Sequence, residues 1–398
     1  MRVLFSFAGG SGHFLPLVPV ARAMHAAGHD VAFAGQPAML SAVEAAGFAA
    51  FATGGETLRS SAERMALLPF DAAREDRAVR DGFAGRVARD RAAALLDLCG
   101  RWRPDLVVCD ELDFGAMVAA ERLGLPHASV LVIAAGALVR PALVAEPLNA
   151  LRATYGLAPD PQMTMLHRHL VLSPVPPSFR DPAHPLPATA RLIRPAVLDA
   201  VDGPAPSWLA GLPPDRPTVY FTLGTVFHLE SGDLFERALA GLRDLPANLV
   251  VTVGREIDPV DFGPQPGHVR IERYVPQPLL LPRCDLMVCH AGSGSVTGAL
   301  AHGVPMVLLP IGADQPANAG RCAALGVGRV LDPVRCSPGD VRDAALAVLA
   351  DAACRQAVAR MAREFAAMPP AVEAVPPLEA LVTRSGQPAA GSTAPSRA

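Results

Sequence analysis

Two histidines in this chain stand where an imidazole could do chemistry, each following a short apolar run and each inside a glycine-rich turn. His13 lies in FAGGSGHFLPLVPVARAM, and His290 lies in LMVCHAGSGSVTGALAHG. An imidazole titrates near neutrality, so it can take a proton from a hydroxyl as that hydroxyl attacks. It works better with a carboxylate on its other nitrogen, and Asp110 ends an apolar run in DLVVCDELDFG, with Glu111 and Asp113 just behind. The turn after His290 has a different character. Free N–H groups at a helix start, backed by the positive end of the helix dipole, make an anion site. Gly292 and Gly294 let a phosphate come close to the backbone, Ser293 and Ser295 add hydroxyls, and His290 adds a ring N–H. Asp314-Gln315 opens a further helix, a carboxylate and an amide suited to sugar hydroxyls. Upstream, RYVPQ (Arg273–Gln277) offers an aromatic face and an amide.

Each signal has a plainer reading. His13 is also readable as a helix cap or as packing between domains, and the three acidic residues as loop carboxylates that cap the helix after Gly115. The first turn fails as a dinucleotide fingerprint: Leu15 stands where the third glycine belongs, and no acidic residue ends the second apolar run. Cys284, Cys289 and His290 are near one another but follow no zinc spacing, so no metal site is expected.

The elements that must position these groups read as alternating strands and helices, the pattern of parallel sheets covered by helices. In the first half, strands are expected at Arg2–Ala8, Val31–Ala34, Asp105–Cys109 and His127–Ile133. Helices are expected at Leu17–Ala27, Met39–Ala46 and Gly115–Leu123, the first two closed by Gly28 and Gly47. In the second half the expected strands are Thr218–Leu223, Asn248–Val253, Leu286–His290 and Met306–Leu309. Helices fall at Asp233–Arg243 and Ser295–His302. Ser337-Pro338-Gly339-Asp340 starts a long helix running beyond Ala352. The stretch Pro174–Pro217 holds twelve prolines and reads as connector. The arginine-rich run Arg74–Arg91 reads as a solvated helix face, and the tail from Ser385 as disordered. The expected division is an N-terminal domain over 1–200, a linker over 201–217, a C-terminal domain over 218–370, a helix over 371–384 and a tail over 385–398.

Composition narrows the function. At 398 residues with 51% hydrophobic and 18% charged residues, the chain can bury two cores. A net charge of -3 argues against nucleic-acid binding, which needs basic clusters. There is no lysine, which excludes P-loop phosphoryl transfer and pyridoxal chemistry. The seven cysteines, odd in number and mostly in apolar runs, suit reduced thiols in the cytoplasm. The opening segment is broken by Gly, His and Pro and is not read as a signal peptide, and Leu123–Val139 is too short to span a membrane.

Taken together, Tyr274-Val275-Pro276-Gln277, His290 to Ser295 and Asp314-Gln315, with Gly224-Thr225 in FTLGTVF, resemble the donor signature of family-1 glycosyltransferases, in particular the bacterial natural-product enzymes of the erythromycin and calicheamicin type. The resemblance spans nearly the whole chain. It implies an α/β GT-B fold, two Rossmann-like doubly wound domains facing across a cleft. The N-terminal one would hold a small-molecule acceptor and the C-terminal one a nucleotide sugar. It implies a metal-independent, inverting transfer with no cofactor beyond that co-substrate. It assigns His13 as general base with Asp110 behind it, Tyr274 to the base, Gln277 to the ribose, His290 to the diphosphate, and Asp314 and Gln315 to the sugar. The alternatives are a non-catalytic partner protein of the same fold, or a nucleotide-sugar epimerase or hydrolase. Relatives using uridine diphosphate sugars often carry a glutamate eight residues after the histidine, where this chain has Gly298, which favours a thymidine diphosphate sugar. The acceptor pocket is expected around Gly54–Phe83 and Gly136–His169. A homodimer is compatible with the sequence.

Overall fold

The structure, a computed structural model, describes residues 1–57, 64–199 and 205–385. The first sheet contains β1 (Arg2–Ser6), β2 (Asp30–Gly35), β3 (Ala49–Ala52), β4 (Leu106–Asp110), β5 (His127–Val130), β6 (Leu170–Ser173) and β7 (Ala190–Leu192). The second contains β8 (Thr218–Thr222), β9 (Asn248–Thr252), β10 (Val269–Glu272), β11 (Leu286–Cys289), β12 (Met306–Leu308) and β13 (Gly328–Val330). Every pairing is parallel. The strand orders are β3-β2-β1-β4-β5-β6-β7 and β10-β9-β8-β11-β12-β13. Helices cover both faces, which is why the central strands are continuous apolar runs rather than alternating ones. Strands β4, β8 and β11 are buried along their whole length.

Both sheets reverse their winding once, between β1 and β4 in the first and between β8 and β11 in the second. Connections leave such a point toward opposite faces and open a crevice at the carboxyl ends of the strands, where doubly wound folds bind ligands. His13 follows β1 and Asp110 ends β4. Gly224-Thr225 follows β8 and His290 follows β11. All four chemical signals therefore fall at the two reversal points.

The final helix crosses back. Ala374, Val375 and Leu378, leading into the helix Val375–Ser385, are buried with Val18, Val20 and Met24 of the first domain. His29 Nε2 lies 3.0 Å from Glu379 Oε1 across that junction. The proline-rich stretch does supply one strand, β7, at the sheet edge, where a strand has only one neighbour and prolines nearby do least harm. Of the expected linker and tail, residues 201–204 and 386–398 lie outside the described residues.

Two expectations need correction. The helix begun at Ser337 has the capping box but ends at Ala350. Asp351 then caps a second helix, Ala352–Ala366, accepting from the N–H groups of Ala353 and Cys354. The run Arg74–Arg91 is helical but not uniformly solvated, since Arg91 is fully buried. Its guanidinium forks onto Asp113 (Nε to Oδ1 2.8 Å, Nη2 to Oδ2 2.7 Å) and donates to Ser6 Oγ and Thr53 Oγ1 at 2.8 Å each. Asp113 also accepts from Ser6 Oγ and caps the helix Phe114–Leu123 through Ala116 N–H. Arginine periodicity could not reveal this, because the partners come from β1, the loop after β3 and the loop after β4.

Removing one member of this pair strands a buried charge. Arg91→Ala is expected to destabilise the first domain by about 3–5 kcal/mol, and the double change with Asp113→Ala to recover part of that loss. Urea unfolding of the variants measures both.

Candidate active site

His13 sits in a helical turn, Ser11–Phe14, directly after the β1 loop. Its Nδ1 lies 3.3 Å from Asp110 Oδ1, an ion-pair contact. Asp110 is fully buried and cannot drift: Ala8 N–H donates to its Oδ2 at 2.6 Å and Leu112 N–H to its Oδ1 at 2.7 Å. The other side of the imidazole lies under Gly9, where a Cβ would fall 2.1 Å from the ring. Phe83 lies parallel to the ring, centroid to centroid 6.1 Å. Burial works against a charge on His13, but Asp110, with weaker help from Asp314 and Glu111, outweighs it and raises the imidazole above its ordinary value. A carboxylate beside Nδ1 favours the tautomer protonated there, leaving Nε2 as the basic atom.

Beside the imidazole, Leu112, Val132 and Ile133 form an apolar wall with Phe83, Leu138 and Val139 against it. Phe83, Leu138 and Val139 fall in the two stretches expected to hold the acceptor pocket. Glu111 braces the wall by accepting from Val132 and Ile133 N–H at 2.6 and 2.5 Å. Burial pushes the Glu111 carboxyl up to about 7, against Arg180 and those two amides.

On the other domain, His290 is buried beneath two glycines. A Cβ on Gly224 would fall 2.5 Å from its ring, and one on Gly292 2.4 Å from Nε2. Gly224 also has φ +79, a conformation that side chains resist. Burial, then the neighbouring His228, push the His290 imidazole down to about 4, so it is neutral at physiological pH. Its Nδ1 has no hydrogen-bond partner among the described residues. The helix Ser293–Ala301 starts beside it with Gly292 as N-cap and no side-chain cap, so its first amides are open to an anion. Gly294 and Thr225 are exposed there.

Tyr274 is 45% exposed and bounds a cavity of about 670 Å³ with Arg255, Asp258, Val260 and Arg270. The Arg255 guanidinium lies 4.4 Å over the tyrosine ring. Val275, next in the motif, has its side chain in the hydrophobic core, so only its backbone can face a ligand. Gln277 Nε2 donates to Ser295 Oγ at 3.4 Å. The space where a side chain at 298 would go is filled: a Cβ on Gly298 would sit 2.9 Å from Leu281 and 3.1 Å from Gln277 Oε1. Gln315 is buried and holds the loop before it, accepting from Ile311 and Gly312 N–H. Asp314 accepts from Ser293 Oγ at 2.5 Å and from Asn318 Nδ2 at 2.7 Å. The Ser293 hydroxyl is thus turned to Asp314 rather than to the helix start.

The two reversal points face each other. Ala134 N–H donates to Ser293 Oγ at 2.7 Å and Ala135 N–H to Asn318 Oδ1 at 3.0 Å, joining the segment after β5 to the second domain. Glu75 crosses as well, accepting from Ala313 N–H at 3.2 Å. Asn318 was legible in principle, four residues after Asp314 and hence on the same helix face. Glu75 has no sequence signal, being 238 residues from its partner.

Comparison with known proteins agrees with the fold. Residues 236–381 match the family model described as erythromycin biosynthesis protein CIII-like, C-terminal domain. The chain is 32% identical to 4'-demethylrebeccamycin synthase of Lentzea aerocolonigenes, over 96% of this chain and 99% of that one. It is 30% identical to the TDP-daunosamine transferase DnrS of Streptomyces peucetius, over 98% and 99%. Among solved structures, the glycosyltransferase VinC in complex with DTDP superposes with a TM-score of 0.75 at 26% identity, over 96% of this chain and 100% of that one.

Since burial alone depresses an imidazole, Asp110→Asn should drop the His13 pKa below the ordinary 6.5. Proton-detected titration of the histidine ring resonances reads the shift, and an unmoved His13 would show that Asp110 does not set it.

Proposed function

This chain belongs to the antibiotic-biosynthesis glycosyltransferases and acts in sugar transfer, and we propose that it moves a deoxysugar from thymidine diphosphate to a hydroxyl of a small, largely apolar natural product, with inversion and without a metal ion. The observation that carries this reading is the His13–Asp110 pair at one reversal point, facing the Asp314 loop and the open helix start at the other.

The acceptor lies on the apolar wall with its hydroxyl at His13 Nε2. His13 takes the proton as the oxygen bonds to the anomeric carbon, while the bond from that carbon to the diphosphate oxygen breaks and the electron pair leaves with the diphosphate. The base belongs to one domain and the anion site to the other, so attack and departure occupy opposite faces of the sugar, which gives inversion. The imidazolium formed is stabilised by buried Asp110. The departing charge meets the amides at the start of Ser293–Ala301 and the neutral ring of His290, which donates a hydrogen bond. These fixed donors support transfer without a metal. Asp314 and Gln315 face the sugar, Tyr274 the base, and Gln277 the ribose.

Two features support the thymidine nucleotide. No carboxylate stands at 298 to grip two ribose hydroxyls, and Gln277 and Leu281 crowd the place where one would extend. Two of the three similar proteins above, the TDP-daunosamine transferase and VinC in complex with DTDP, carry thymidine diphosphate in their names. Seven free cysteines, six of them buried, suit the cytoplasm. Among the described residues no helix is long and apolar enough to cross a membrane. A non-catalytic role is not favoured, because base, carboxylate and anion site are all present.

The test is incubation with thymidine and uridine diphosphate sugars and a panel of hydroxylated polyketide and aromatic aglycones. His13→Ala should lower transfer by about 10²–10⁴-fold while thymidine diphosphate still binds. Undiminished turnover would remove His13 from the mechanism. Calorimetry should find thymidine diphosphate bound more tightly than uridine diphosphate, and the opposite order would overturn the nucleotide assignment.

A further inference from the structure

Every amide from Val132 to Ala135 is taken by a side chain, and the accepting side chains divide between two domains. Val132 and Ile133 N–H go to Glu111 of the first domain. Ala134 and Ala135 N–H go to Ser293 and Asn318 of the second. The carbonyls are held too. Arg180 Nη1 donates to Ile133 O at 2.9 Å, and Asp181 N–H donates to Ala135 O at 3.1 Å. Gly136 then turns the chain at φ +87, with Arg180 where a Cβ would stand. A strand end outside its sheet has no neighbour to take its amides, and leaving them buried and unpaired is costly. These residues thus depend on both domains for their hydrogen bonds.

Asn318 is the hub on the second domain. It is fully buried, and its amide is used at both ends. Oδ1 accepts from Ala135 N–H. Nδ2 donates to Asp314 Oδ2 at 2.7 Å, to Ala291 O at 3.0 Å and to Ser293 Oγ at 3.2 Å. Ala291 belongs to the turn before the anion site, and Asp314 to the sugar loop. Both loops carry a non-glycine residue at positive φ, Ala291 at 66° and Ala313 at 52°, which persists only where surroundings hold it.

We propose that Asn318 is a positioning residue of the transfer reaction, fixing the carboxylate Asp314 and the segment Ala134–Ala135, which continues from the apolar wall at Val132–Ile133, as one rigid piece across the cleft. The wall that seats the acceptor and the carboxylate that faces the sugar share one side chain, so their separation does not depend on how the rest of the domains move. The inference rests on the functional reading above for its consequence in turnover, but its structural content stands apart from it. An asparagine is needed because the site asks for an acceptor on one atom and donors on the other, next to a carboxylate. An aspartate of the same shape offers no donor while charged, and repels Asp314.

Asn318→Ala, which removes the acceptor as well as the donors, decides the matter, with Ser293→Ala as a second variant should the first fail to fold. Hydrogen exchange on the full chain should show protection of the peptide spanning 131–136 reduced at least about tenfold at pH of about 8.5, with distant peptides unchanged. Thymidine diphosphate should bind within about threefold of the unaltered chain, while kcat for the donor–acceptor pair that turns over falls about 30-fold or more. Unchanged protection at 131–136, or a kcat within about twofold of the unaltered chain, overturns the proposal. If the unaltered chain transfers no sugar, the functional reading fails, and the exchange result still judges the coupling.

Discussion

A single buried carboxylate sets the chemistry of the first domain. Asp110 faces three groups at once: the amide of Ala8 after β1, the amide of Leu112 after β4, and the imidazole of His13. The two amides come from opposite sides of the reversal point, so the carboxylate closes the crevice at the place where the sheet opens it. Each amide fixes the carboxylate in place, and Asp110 is what keeps the His13 ring basic in spite of its burial. Gly9 and Phe83 then confine the ring from its other sides. Position, tautomer and basicity thus follow from one constraint.

The second domain meets the opposite need with the same materials. His290 is also an imidazole after a central strand, yet it has no carboxylate beside it and a second histidine nearby. Burial therefore wins, and the ring stays neutral. A neutral ring with a hydrogen-bond donor suits a site whose positive field comes from the helix start, because it adds direction without the cost of burying another charge. Two histidines of similar sequence setting are shifted in opposite directions by their neighbours alone.

Between them runs a thin but fully satisfied set of polar contacts: Ser293, Asp314 and Asn318 toward Ala134 and Ala135, with Glu75 reaching Ala313. Orientation is specified by hydrogen-bond direction, which apolar packing lacks. The returning C-terminal helix adds the apolar part, anchoring the chain end on the first domain through Ala374, Val375 and Leu378.

The sequence by itself determined the two parallel sheets and the turns at their reversal points, because buried parallel strands demand unbroken apolar runs and ligand turns demand glycine at fixed offsets. It also placed His13, Asp110, His290 and the Asp314-Gln315 pair at the ends of such runs or turns, where the structure has them. Only the tertiary structure decided the rest. Arg91 looks like one more surface arginine until β1 and the loop after β4 close over it with Asp113 and Ser6. Val275 sits inside a ligand motif yet turns its side chain to the core, because the motif fixes the backbone while the surrounding side chains fix the direction. The links through Glu75, Asn318 and the amides at 134 and 135 join residues 159 to 238 positions apart. Local pattern reports what one segment can do. Which distant group meets it is settled only when two separately folded sheets are brought face to face.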